Sequence, residues 1–250
     1  MSTSSHPLAG KTALVTGGSR SIGAAIAKRL AADGAAVAIT YSASPDKAAA
    51  VVAEIVANGG RAVAIAADAG NPQAVRAAVA KTVENFGGLD ILVNNAGIAQ
   101  GGAIGETNFE DYERMIAVNV TGPFVATQEA QKHMKEGGRI IQVGSSMVRY
   151  AAFPTASLYT LTKGAITGFN RSLVRDLGPR GITVNTVHPG PTDTDMNPDG
   201  GPISKIVAPG MAIGRYGKPH EIASVVAYLA SPEAAFVTGA EVIADGGFSA

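Results

Sequence analysis

Residues 11–32 read KTALVTGGSRSIGAAIAKRLAA, and this stretch decides the fold. Lys11–Thr16 is a short apolar run that predicts a strand. Gly17-Gly18-Ser19-Arg20-Ser21-Ile22-Gly23 breaks it, and an Ala-rich segment to Ala32 then predicts a helix that Asp33-Gly34 stops. Gly17 permits the tight turn and Gly23 lets the helix lie close to the strand. The helix N-terminus offers unpaired N–H groups to a pyrophosphate. A Gly-rich turn alone is weak, but here it follows the first strand and opens a helix, the context a dinucleotide site requires.

Outward from this unit the pattern repeats. Strands are expected at 36–41, 62–67, 89–93, 138–143, 182–187 and 241–244. Helices are expected at about 45–57, 72–86, 108–134, 157–177 and 219–230, with a bend in the long one at Gly122-Pro123. Apolar strands alternating with helices predict an α/β fold: one parallel sheet of about seven strands, doubly wound in the Rossmann manner, with helices on both faces. No linker or internal repeat divides the 250 residues, so residues 1–250 read as one domain. The Gly- and Pro-rich 189–214 is longer than an ordinary connection and reads as a loop with one short helix that serves as a substrate lid.

Composition excludes several functions. The net charge is zero and no basic run occurs, which argues against nucleic acid as a partner. There is no cysteine, so disulfides, thiol catalysis and Cys-ligated zinc are excluded. His6, His133, His188 and His220 lack ligand spacing, and no metal is expected. No apolar run is long enough to span a membrane. MSTSSHPLAGK lacks the apolar core of a signal peptide, so a soluble cytoplasmic protein is expected.

The chemistry gathers in GSSMVRYAAFPTASLYTLTK, residues 144–163. In a helix from about Ser157, Tyr159 and Lys163 share a face one turn apart. A phenol ionises near pH 10. A neighbouring ammonium favours the phenolate and is expected to lower that value, so that the phenol can trade a proton with an alcohol or carbonyl oxygen.

Taken together these motifs resemble the short-chain dehydrogenase/reductase family across essentially the whole chain. Its Thr-Gly-x-x-x-Gly-x-Gly turn matches Thr16, Gly17 and Gly23, with Ser21 at the middle glycine, which implies a local adjustment. Its Asn-Asn-Ala-Gly matches residues 94–97, and its active-site asparagine matches Asn119. Its Ser, Tyr and Lys match Ser146, Tyr159 and Lys163; neighbouring Ser145 competes, and spacing favours Ser146. Pro189-Gly190 and Thr194-x-Met196 match the segment that lies against the nicotinamide.

The resemblance implies hydride transfer between a nicotinamide and a carbonyl or secondary alcohol. Tyr159 would be the general acid/base, and Lys163 would hold the ribose and tune the phenol. Ser146 would anchor the substrate oxygen, and Asn119 would position a relay water from a kink in the long helix. Along the cofactor it implies Gly17, Ser19, Arg20, Ser21, Ile22, Gly23, Tyr41, Ser42, Ser44, Asp68, Ala69, Asn95, Ala96, Gly97, Pro189, Gly190, Thr192 and Thr194, besides Tyr159 and Lys163. The second strand ends Thr40-Tyr41-Ser42-Ala43-Ser44 without a carboxylate. With Arg20 in the turn, this favours NADP(H), because a strand-end acid would repel a 2′-phosphate. Asp46 reaching back to the ribose would favour NAD(H) instead. Asp68 is either an adenine contact or a turn cap.

Asp193 and Asp195 read as solvated. Met147, Tyr150, Phe153, Met196 and Met211 are either pocket wall or core. The substrate is a small molecule: a 3-oxoacyl thioester, a ketone or diketone, or a sugar. An NAD-dependent alcohol dehydrogenase and a non-catalytic dinucleotide sensor are the alternatives. The family's tetramers imply a homotetramer.

Overall fold

The computed structural model describes residues 6–250; the first five, on which part of the signal-peptide expectation rests, lie outside the described residues. Seven strands form one sheet in the order β3-β2-β1-β4-β5-β6-β7. They are β1 (Thr12–Val15), β2 (Ala36–Tyr41), β3 (Arg61–Ala66), β4 (Ile91–Asn94), β5 (Arg139–Val143), β6 (Thr183–Pro189) and β7 (Glu241–Ala244). Every pairing is parallel. The order reverses direction between β1 and β4, and such a switch point leaves a crevice at the strands' carboxyl ends.

The helices are α1 (Ser21–Ala32), α2 (Pro45–Ala57), α3 (Pro72–Phe86), α4 (Phe109–Ile116), α5 (Gly122–Ala130), α6 (Ser157–Leu177), α7 (Pro202–Val207) and α8 (Pro219–Ala230). Two apolar layers sandwich the sheet. One packs Ile26, Leu30, Val226 and Leu229 of α1 and α8 against Val15, Val37 and Ile141. The other packs Val79, Val125 and Leu173 of α3, α5 and α6 against Leu14, Leu92 and Ile140. Residues of the two sets alternate along β1, β2 and β4, as a sheet buried on both faces requires.

One expectation changes. The single helix expected over 108–134 is α4 and α5 joined by a π-helical turn, Ala117–Thr121, and it ends at Ala130. Pro123 begins the regular helix after that turn, where it costs no backbone hydrogen bond. The stretch after β6 holds α7 and a short 3₁₀ turn, Ala208–Gly210, around a small core of Val207, Met211 and Tyr216. Met211 belongs to that core rather than to a pocket wall.

Candidate active site

At the end of β1 the backbone of Gly17 has φ +65°, which a side chain would strain. A Cβ on Gly23 would come within 2.2 Å of the Gly17 carbonyl oxygen. Ser21 adopts φ +49°, so the serine at the family's middle glycine is held in a glycine-like conformation. Helix α1 has no side-chain cap, which leaves its first N–H groups to whatever lies over the turn. Ser19 is buried in the turn, and Ile22 packs into the core below.

The charges around this turn already hold an anion. The Asp195 carboxylate lies 2.8 Å from Lys47 Nζ, 3.5 Å from Arg20 Nη1 and 3.4 Å from Ser21 Oγ. Its pKa is lowered, first by the Lys47 hydrogen bond. Asp195 is therefore not merely solvated, nor is Asp193, which pairs with Lys218 at 3.2 Å. Sequence reasoning missed Lys47. Its place in the first turn of α2, just beyond β2, was the available signal. Ser42 and Ser44 flank the same corner, and Asp46 is exposed and forms no hydrogen bond or ion pair among the described residues. Arg20, Lys47, the uncapped helix and the two serines fit a phosphate-bearing dinucleotide.

Across the crevice, Asn95 Nδ2 donates to the Thr16 and Gly17 carbonyls at 2.9 and 3.1 Å, tying β4 to the turn. Ala96 lies against Gly17. Asp68 accepts from both Arg114 Nη atoms and from the Gly70 amide, so its carboxylate serves as ion-pair partner and turn cap. Those bonds to Arg114 and Gly70 lower its pKa against a smaller effect of burial. Ala69 packs beneath Gly122, and Tyr41 is half-buried at the end of β2. Pro189 pairs with Ala244, Gly190 lies tight against Asp245, and Thr192 bridges to Gly217. Thr194 Oγ1 accepts from the Asn197 amide.

Asn119 sits in the π-helical turn, 2% exposed. Such turns recur at functional sites because they displace one residue from the helical register. Its Nδ2 donates to the Ile98 carbonyl at 2.8 Å and to Thr162 Oγ1 at 3.1 Å, while Oδ1 accepts from the Ile98 amide at 2.9 Å. The side chain is thus a brace between α6 and residues 95–98. A Cβ on Gly97 would meet Asn119 Oδ1 and Lys163 Nζ at 3.4 and 3.5 Å, so these three groups converge.

Lys163 is buried and donates to the Val143 carbonyl at 2.9 Å. Burial lowers its pKa to about 8. Nζ lies 5.7 Å from the centre of the Tyr159 ring. Tyr159 is half-buried, and burial raises its phenol above the ordinary value while a hydrogen bond to the Ser145 side chain acts against that rise. The phenol's pKa thus lies above its ordinary value rather than below it, because burial outweighs the lowering expected from a neighbouring ammonium. Both serines stand at the site: Ser145, extended at φ −162°, acts on the Tyr159 phenol, and Ser146 opens a 3₁₀ turn (Ser146–Val148) and is buried beside it.

Among the described residues no cluster of acids and imidazoles suits a metal, and no helix is long and apolar enough to cross a membrane.

A parallel sheet with a glycine-rich turn at its switch point and a Ser–Tyr–Lys group beside it defines a nucleotide-dependent oxidoreductase of the Rossmann class. A family model described as enoyl-(acyl carrier protein) reductase matches residues 17–249. The chain belongs to the short-chain dehydrogenase/reductase family. It is 46% identical over 243 residues to the cyclic-di-GMP-binding biofilm dispersal mediator protein of Escherichia coli (strain K12), covering 96% of this chain and 98% of that protein. A short-chain dehydrogenase from Burkholderia cenocepacia J2315, solved with NADP, superposes with a TM-score of 0.96 at 52% identity, over 98% of this chain and 100% of that one. A blue fluorescent protein from a metagenomic library, solved with NADPH, gives 0.96 at 50% identity over the same shares.

Proposed function

We propose that this protein is an NADP(H)-dependent carbonyl reductase, working in reverse as a secondary-alcohol dehydrogenase. The observation that carries the reading is the convergence of Ser145, Tyr159 and Lys163 beside Gly97, facing a turn whose cations hold an anion. Residues Gly17, Ser19–Gly23, Asn95–Gly97 and 189–194 would cradle the cofactor. Arg20 and Lys47, with Ser42 and Ser44, would receive its 2′-phosphate. The bound nicotinamide supplies the hydride in reduction and accepts it in oxidation.

The chain's own groups do the rest. Ser145 Oγ hydrogen-bonds the substrate oxygen and fixes it beside the phenol. Tyr159 passes its proton to that oxygen as negative charge builds there. Lys163, anchored on Val143, lies within reach of the proton-deficient phenolate and stabilises it. Asn119 holds residues 95–98 against α6, keeping the floor of the site fixed. The phenol's raised pKa keeps it protonated near neutrality, the state a proton donor requires.

The 189–214 segment acts as a lid, pinned at Asp195 and Asp193. Tyr150 and Phe153 are exposed beside the site, and Tyr150 meets Phe248 edge-to-face with ring centres 5.6 Å apart. These apolar walls favour an uncharged ketone or diketone over a sugar. Exposed Phe109, Phe124 and Leu161 on α4, α5 and α6 support assembly into a homotetramer.

The name of the Escherichia coli relative favours a second reading, a cyclic-dinucleotide sensor. The test is NADPH consumption across ketones, diketones, ketoesters and acyl thioesters. Turnover of at least one carbonyl supports the reductase. Absence of turnover together with saturable cyclic-dinucleotide binding supports the sensor.

A further inference from the structure

His188 is buried directly beneath the serine of the site, 1% exposed on β6. Its Nδ1 lies 3.2 Å from the Ser145 amide nitrogen and 3.0 Å from the Ser145 carbonyl oxygen. One imidazole nitrogen cannot serve both at once: unprotonated it accepts from the N–H, protonated it donates to the C=O. Room for the ring exists because residue 144 is glycine; a Cβ there would lie 2.5 Å from Nδ1. On the far side Nε2 faces Glu241 Oε2 of β7 at 3.6 Å, and Glu241 is paired with Arg171 of α6 at 2.8 Å. The other charge acting on the ring is Lys163, also from α6. A carboxylate facing Nε2 favours the tautomer with its proton there, leaving Nδ1 as an acceptor.

We propose that His188, oriented by Glu241, is a positioning residue for Ser145: its neutral Nδ1 accepts the Ser145 amide hydrogen and so aims the serine hydroxyl at the Tyr159 phenol. This rests on the reading of Ser145 as the donor to the substrate oxygen. Protonation at Nδ1 removes the acceptor and turns the contact over to the Ser145 carbonyl, re-aiming the peptide. Burial holds the imidazole's pKa below its ordinary value, against the opposing effects of the Ser145 backbone and Glu241. The change therefore falls on the acid side of pH 6.5.

The test joins side-chain NMR of the isotope-labelled full chain to pH–rate profiles with NADPH and an uncharged diketone. The neutral tautomer with the proton on Nε2 is expected, with the Ser145 amide shift titrating in step with the His188 ring. H188Q, whose amide reaches toward Glu241 but not Ser145, is expected to lose about 10- to 100-fold in kcat with KM for NADPH unchanged. H188N, whose amide oxygen can take the Nδ1 position, is expected to keep kcat within about threefold at pH 8 and to lose the acid limb. E241Q is expected to shift that limb to lower pH.

A proton found on Nδ1 at neutral pH would overturn the proposal. So would a Ser145 amide indifferent to His188, or an H188Q enzyme with wild-type kcat. Should H188Q fail to fold, the tautomer and the Ser145 titration decide alone. They also decide if the wild type reduces no carbonyl, an outcome that refutes the reductase reading without touching the His188–Ser145 contact.

Discussion

The Ser145 side chain acts on the Tyr159 phenol, lowering its pKa against the effect of burial, and so couples the end of β5 to the first turn of α6. In the proposed reaction this serine donates to the substrate oxygen where charge develops. Removing one such donor costs about 10²–10³ in kcat. S145A is expected to show a loss of that order in steady-state NADPH oxidation with unchanged NADPH affinity. If Ser145 holds that role, S146A is expected to stay within about threefold. The reverse ranking would assign the role to Ser146.

Lys163 carries a stability cost with a definite pH signature. Its folded pKa of about 8 lies below its ordinary 10.5. A depressed lysine withholds stability below the folded value, where it is buried as a cation, and returns it as pH rises from there toward the unfolded value. K163M removes the buried charge but leaves the Val143 carbonyl without its donor, for a net gain on the order of 1–2 kcal/mol at pH 7. Thermal unfolding is expected to show K163M above wild type at pH 7, the difference shrinking between pH 8 and 10, with activity lost throughout. A pH-independent difference would mean that desolvation is not its source.

Arg20 and Lys47 converge on one carboxylate, that of Asp195. If the pair reads a 2′-phosphate, R20A/K47A should lower kcat/KM for NADPH by about 10²-fold and that for NADH by less than about threefold. Parallel profiles with the two nucleotides check this. Equal losses with both would place the two cations on the pyrophosphate.

The sheet was legible because its signal is local. Apolar strands at β1 to β7 alternate with amphipathic helices, and each is visible in its own ten residues. Tyr159 and Lys163 were legible for the same reason, sharing one helical turn. What sequence could not show depends on chain reversals. Spacing favours Ser146 for Tyr159, and it could not show that Ser145, extended before the 3₁₀ turn that begins at Ser146, also acts on the phenol. The Lys47–Asp195 pair spans 148 residues, and the His188–Glu241 pair exists only because β6 and β7 are neighbours. The raised Tyr159 pKa was not legible, because charge proximity can be read from a helix, whereas burial is a property of the whole fold.

The most direct measurement is single-turnover NADPH oxidation by wild type and Y159F on the best diketone found in the screen, with NADPH binding measured on both. Equal NADPH affinity is expected, with a loss of about 10²–10⁴ in the rate of oxidation for Y159F, the range that a positioned proton donor contributes. A Y159F rate within a few fold of wild type would contradict the assignment of Tyr159 as the acid.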